Sequence, residues 1–144
     1  MNNNASQLNN LYVPLRLCYG LVPIVAGADK FTNLLTDWSQ YLPGFMTDIL
    51  PFSPGVFMMI VGVIEIVAGL AVLTKLTRLG GYVVAAWLML IAVNVALAGF
   101  LDIAVRDVVM ALGAYTLSGL AAFRGEQLLP FSDSHGSRAS SFVS

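Results

Sequence analysis

Charged residues are scarce in this chain. Only 10% of its 144 residues are Asp, Glu, Lys or Arg, whereas 58% are hydrophobic, and the formal net charge is -1. About a quarter of the residues in a soluble domain are charged, so a soluble fold could not cover its surface with so few. The chain also lacks a basic stripe with interleaved aromatic residues, which excludes electrostatic capture of nucleic acid.

Cysteine and histidine are each present only once. Because Cys18 has no second thiol to pair with, an internal disulfide and a thiol-disulfide relay within the chain are both excluded. His135 lies in the polar stretch "SDSHGSRASS", where we expect a solvated side chain rather than a metal ligand. A haem held by two histidines of this chain is excluded, and no metal site is predicted.

Long apolar runs, by contrast, are abundant. Four of them, at about residues 12–29, 55–73, 79–99 and 102–123, match the roughly 20 residues that a helix needs to cross a bilayer. They predict an all-α integral membrane four-helix bundle. Ser53 and Pro54 supply a cap and a first-turn proline for the second span, and Asp102 places negative charge at the start of the fourth. Residues 1–11 are predicted as a polar N-terminal tail and residues 124–144 as a polar, disordered C-terminal tail.

Basic residues predict how the spans are oriented. Lys75 and Arg78 lie between the second and third spans, and Arg124 and Arg138 follow the fourth, whereas the long loop after the first span carries only Lys30. The positive-inside rule therefore places both termini in the cytoplasm. A cleaved signal peptide is the competing interpretation of the first span, but the ten residues before Leu11 carry no positive charge.

The long outer loop contains the segment "FTNLLTDWSQYL", in which apolar residues recur at helical spacing. The segment predicts an amphipathic surface helix over residues 31–42. Two roles for it stay open: it seals the top of the bundle, or it gates the bundle or docks a partner.

Several ionisable or amide side chains interrupt the apolar runs, and an ionised group costs about 2.5–3.5 kcal/mol at the centre of a spanning helix. Gly62, Glu65 and Gly69 share one helix face, so Glu65 is predicted to point inward against a closely packed neighbour. With both termini inside, one outward-opening cluster is predicted, formed by Asp29, Lys30, Glu65, Asn94, Arg106 and Asp107.

A structural role is the alternative for each of these groups. Glu65 could form an ion pair that locks the bundle, with Lys30 or Arg106 as its partner. Arg106 and Asp107 lie near a helix end, where charges can reach the lipid headgroups. Arg16 lies toward the cytoplasmic end of its span and is expected to snorkel. The stretch "IVAG" occurs after Gly20 and again after Gly62, closing at Gly27 and Gly69, an echo that we ascribe to composition.

The order "RLCYGLVPIVAGADKF", "GVIEIVAGLAVL", a short basic turn and "RDVVMALGAYTLSG" resembles the DoxX-like family of small four-span bacterial membrane proteins. The resemblance covers residues 12–123. That family includes the membrane subunit of thiosulfate:quinone oxidoreductase. The family-pattern positions are Arg16, Gly20, Gly27, Lys30, Glu65, Gly69 and Asp107.

The resemblance implies a subunit of a respiratory or sulfur-oxidising redox complex in the bacterial inner membrane. The chain would help to form or border a quinone site, bind no covalent cofactor, contact lipid and other membrane subunits, and act as part of a quinone-linked oxidoreductase rather than alone. Two further functions stay open: a non-catalytic accessory or assembly subunit, and a small-solute or ion carrier with Glu65 as a midplane binding group.

Overall fold

A computed structural model describes residues 3–130 of the chain. It is all-helical over these residues, with helices α1 (Asn3–Asp29), α2 (Gly44–Ile49), α3 (Pro54–Leu73), α4 (Thr77–Leu97) and α5 (Leu101–Phe123). All except α2 are long and apolar enough to cross a bilayer, which confirms the four-span membrane bundle. Helix α1 begins at Asn3, earlier than the span predicted from residue 12. The predicted C-terminal tail lies outside the described residues from 131 onward, together with His135 and Arg138.

The four spans form a ring of antiparallel neighbours. Helix α1 packs most extensively on α3, and α4 on α5, while the two pairs meet mainly through α3 and α4 and more lightly through α1 and α5. We call the end that carries residues 30–53 the loop end and the other the termini end. The buried core, which includes Tyr12, Val72, Val84 and Leu117, fills the half of the bundle near the termini end.

Glycine faces bring α1 and α3 together. A Cβ added at Gly27 would collide with the carbonyl oxygen of Gly62, and one added at Gly69 would collide with that of Gly20. The two helices therefore touch backbone to backbone, as small residues allow in membranes. The repeated glycine spacing thus has a physical basis, because each glycine pair on one helix faces the other pair on its antiparallel neighbour.

The prediction of an amphipathic helix over residues 31–42 is wrong. The chain turns after Asp29, forms a short 3₁₀ turn at Trp38–Tyr41 and then the six-residue α2. The Asp29 carboxylate accepts hydrogen bonds from the backbone N–H groups of Leu34 and Leu35 at 2.9–3.2 Å, so these groups are taken from any local helix. Asn33 adopts φ 50, which also stops helical propagation.

Arg16 does more than snorkel. Its guanidinium donates to the carbonyl oxygens of Val72, Leu73 and Thr74 at 2.7–3.1 Å, at the C-terminal end of α3 where helix carbonyls lack an N–H partner within the helix. The arginine therefore ties α1 to the C-terminus of α3, where a positive charge also complements the helix dipole. The predicted capping of α3 is confirmed, since the Ser53 hydroxyl accepts from the N–H of Val56 at 3.4 Å.

Candidate functional site

A cavity of about 820 Å³ occupies the half of the bundle nearer the loop end. Its walls come from α1, α3, α4 and α5. The loop residues Trp38 and Tyr41 also line it. Most of the lining is apolar. Five of the six residues predicted as one cluster line it, namely Lys30, Glu65, Asn94, Arg106 and Asp107.

Lys30 and Glu65 form the charged centre of the cavity wall. The Lys30 ammonium lies 2.6 Å from Glu65 Oε2, and the side chains are 4% and 8% exposed. Lys30 Nζ also lies 3.7 Å from the ring centroid of Trp38, a cation–π contact. Lys30, rather than Arg106, is therefore the counter-ion of Glu65, and the buried carboxylate is compensated as a charge within a membrane must be.

Asp107 lies on the α5 side of the same cavity. Asp107 is 6% exposed, and its Oδ2 atom is buried without a hydrogen-bond partner within residues 3–130. Asp107 and Glu65 line the same cavity from α5 and α3. The indole N–H of Trp87 faces Glu65 from α4, although it makes no hydrogen bond of standard geometry.

The other predicted residues have separate tasks. Asn94 donates from its side-chain amide to the carbonyl oxygen of Tyr41 at 2.9 Å, which fixes the loop over the cavity. Arg106 lines the cavity edge, but its side chain is 74% exposed and lies 3.9 Å from Asp102 one turn earlier. Asp29 does not line the cavity and instead binds loop N–H groups and the indole of Trp38.

Some of the residues that line the cavity are exposed on the lipid-facing surface. Cys18 and Val22 of α1 and Met110 of α5 line the cavity and are exposed. The Tyr19 hydroxyl donates to the carbonyl oxygen of Met110 at 2.7 Å and so joins α1 to α5 beside these residues.

Sequence reasoning missed the aromatic residues of this site. Trp38 and Trp87 are the only tryptophans of the chain, and both line the cavity. The helical spacing of residues 31–42 places Trp38 on the apolar face of the predicted surface helix, and nothing in its local sequence indicates contact with a lysine eight residues earlier. Its one signal is its place between two polar residues in an outer loop, where tryptophan usually marks the membrane interface.

The family-pattern residues other than Glu65, Lys30 and Asp107 serve the packing. Gly20, Gly27 and Gly69 lie in the α1–α3 contact, and Arg16 caps α3. These contacts place Lys30, the first residue after α1, beside Glu65 on α3. In this chain, the packing contacts of Gly20, Gly27, Gly69 and Arg16 therefore hold the two charged residues together.

The chain matches the family model for DoxX over residues 11–99. The match covers α1 to α4 and the loop but ends before α5, so Arg106 and Asp107 lie outside it. Neither the curated proteins nor the solved structures include a significant match. Because the matched residues make up more than half of the sequence and the four spans are present, this chain belongs to the DoxX family.

Proposed function

We propose that this chain is the quinone-binding membrane subunit of a respiratory or sulfur-oxidising redox complex. In this proposal it lies in the bacterial cytoplasmic membrane with both termini inside. The loop-end cavity carries the proposal. It combines apolar walls with a small set of buried polar groups, the combination that holds an apolar ring and orients its oxygen atoms.

The position of the cavity supports the same function. A quinone is dissolved in the bilayer, and residues that line the cavity, such as Cys18, Val22 and Met110, are exposed on the lipid-facing surface. Membership of the DoxX family, whose members are often associated with redox systems, adds to this support. With one cysteine and one histidine, the chain can form neither a cysteine pair nor a haem site with two histidine ligands. We therefore expect a partner protein to supply the electrons.

The two tryptophans provide the test. Trp38 and Trp87 both line the cavity, and a quinone bound beside an indole quenches its fluorescence. Titration of the detergent-purified protein with decyl-ubiquinone should give saturable quenching. Ala26→Phe places a bulky ring in the cavity wall and should weaken the apparent affinity by about tenfold or more.

The matched control is Ala28→Phe. Ala28 lies on the same helix, is exposed and does not line the cavity, so its quenching curve should follow that of the wild type. Quenching that is linear with quinone, or equal in both variants, would mean that the quinone only dissolves in the micelle, and the proposal would fail.

The two other functions make different predictions. An accessory subunit would co-purify with its complex equally well with and without Ala26→Phe, and would bind no quinone. A carrier would support solute uptake into proteoliposomes. The Lys30–Glu65 pair, which is already compensated within the chain, makes a midplane ion site at Glu65 the less favoured of these.

A further inference from the structure

A second pocket, of about 540 Å³, lies at the termini end of the bundle. Its lining includes Arg16 of α1, Lys75 of the turn between α3 and α4, and Glu126 after α5. It shares no lining residue with the loop-end cavity. Its volume lies within the range of small-molecule sites in proteins, about 300–1,000 Å³. The pocket is therefore a second candidate site, separate from the quinone cavity.

Charged residues divide unequally between the two ends of the bundle. Within residues 3–130, four cationic side chains and one carboxylate lie at the termini end, namely Arg16, Lys75, Arg78 and Arg124 with Glu126. The rest of the described chain carries two cationic side chains, Lys30 and Arg106, against six carboxyl groups. The termini end therefore has an excess of positive charge.

The cations at the two ends also differ in their partners. Lys30 and Arg106 each lie within 4 Å of a carboxylate. Among the termini-end cations of the described chain, only Arg124 does so, at 3.6 Å from Glu126. Arg16 donates to backbone carbonyl oxygens, which leaves its positive charge without a carboxylate. The excess charge at the termini end is therefore not neutralised by the described part of the chain.

These charges favour an anionic ligand in the termini-end pocket. The Glu126 carboxylate also lines the pocket, but it already accepts from the Tyr12 hydroxyl and faces Arg124. Arg16 and Lys75 would repel a cation, whereas both can donate to the oxygen atoms of a phosphate group. Arginine and lysine side chains are the usual partners of phosphate groups in proteins.

The depth of the pocket favours a lipid as the source of that phosphate. Leu73 ends α3 and Thr77 begins α4, so the pocket lies where two spans leave the bilayer, at the level of the lipid headgroups. Leu17 and Leu70, which lie deeper along α1 and α3, are 48% and 50% exposed and offer an apolar surface to acyl chains. Basic pockets between spanning helices are known to bind anionic headgroups.

We infer that the termini-end pocket binds an anionic phospholipid of the adjoining leaflet, with the lipid phosphate between Arg16 and Lys75. The bound lipid links α1 to the turn between α3 and α4. This site does not depend on the quinone proposal, because it uses different residues at the opposite end of the bundle.

The test compares two phospholipids with the same acyl chains. Native mass spectrometry of the detergent-purified protein counts bound dioleoyl-phosphatidylglycerol and dioleoyl-phosphatidylcholine as each is added. Phosphatidylglycerol should bind at least about fivefold more tightly, which is the contribution of one basic residue beside an anionic lipid. Equal affinities for the two lipids would overturn the inference.

Two lining residues should change the affinity for phosphatidylglycerol in opposite directions. Lys75→Gln removes an exposed cation and should weaken binding about fivefold. Glu126→Gln removes the carboxylate but keeps an acceptor for the Tyr12 hydroxyl, so it should strengthen binding. A general loss of fold would weaken binding in both variants. Unchanged binding in Lys75→Gln, or weaker binding in Glu126→Gln, would overturn the assignment of the lipid to this pocket.

Gln40→Glu is the matched control, because it makes the net charge more negative by the same amount as Lys75→Gln. Gln40 is exposed and lies at the loop end, so this variant should bind phosphatidylglycerol as the wild type does. A loss equal to that of Lys75→Gln would show that net charge alone attracts the lipid, and the site would be refuted.

A soluble phosphate compound is the other source of the same chemistry. Glycerol 3-phosphate added at the concentration of the lipid should displace no phosphatidylglycerol, because it has no acyl chains to place beside the exposed leucines. Displacement at equal concentration would assign the pocket to a soluble phosphate compound and overturn its assignment to a lipid.

Discussion

At the scale of the residue, the buried Lys30–Glu65 pair is the feature on which the site depends most. Breaking such a pair by removing one member leaves an uncompensated charge and costs about 3–5 kcal/mol, whereas removing both members together can be nearly neutral. We therefore expect Lys30→Met to lower the free energy of unfolding in detergent by about that amount. The double variant Lys30→Met with Glu65→Leu should recover most of the loss.

Arg106→Met is the control for this prediction. Its ion pair with Asp102 is 3.9 Å long and exposed, and exposed pairs contribute little to stability. Unfolding curves in dodecyl sulfate mixtures would compare the four proteins. If Lys30→Met were as stable as Arg106→Met, the pair could not be the electrostatic centre described above.

At the scale of the element, the glycine contact between α1 and α3 sets the distance between Lys30 and Glu65. Gly27→Ala would push a methyl group into the carbonyl oxygen of Gly62, and overpacking of this kind costs about 1–3 kcal/mol. We expect it to lower stability and to weaken quinone binding together. Both can be followed in one protein, by unfolding and by tryptophan quenching.

Gly119→Ala is the matched substitution, because a Cβ at Gly119 meets nothing within 4 Å in the described structure. Alanine is the better helix former by about 1 kcal/mol, so this variant should be as stable as the wild type or slightly more so. Equal destabilisation by both substitutions would show that the α1–α3 contact is not special.

The helical spans could be predicted from the sequence, whereas the loop between α1 and α3 could not. The four spans followed from the lengths of the apolar runs, because a bilayer leaves helices as the only way to satisfy their backbone. The inward direction of Glu65 followed from the glycines on its face. The loop could not be predicted in this way, since Asp29 binds the N–H groups of Leu34 and Leu35 and overrides the helical spacing of the apolar side chains.

The sequence also could not predict whether Lys30 or Arg106 is the partner of Glu65. The choice depends on how α5 is rotated about its own axis, and the rotation turns Arg106 to the surface while it buries Asp107. Neighbouring residues on a helix point in directions about 100° apart. A small difference in helix packing therefore decides which of Arg106 and Asp107 is buried.

At the scale of the whole molecule, the orientation in the membrane can be tested directly. In a Cys18→Ser background, Gln40→Cys in the loop and Lys75→Cys between α3 and α4 lie at opposite ends of the bundle, and both positions are exposed. We expect an impermeant maleimide to label Gln40→Cys in intact cells and Lys75→Cys only after lysis. Labelling of both positions in intact cells would contradict the four-span topology, and reversed labelling would place the termini outside.

The central claim is that a membrane-soluble quinone occupies the loop-end cavity. Its most direct test is photolabelling of the protein in native membranes with an azido-quinone, followed by peptide mass spectrometry. The account predicts that labels fall on residues lining the cavity, such as Val22, Trp87 and Met110, and that excess decyl-ubiquinone suppresses them. Labels that resist competition, or that fall around Tyr12 and Thr77 at the termini end, would contradict it.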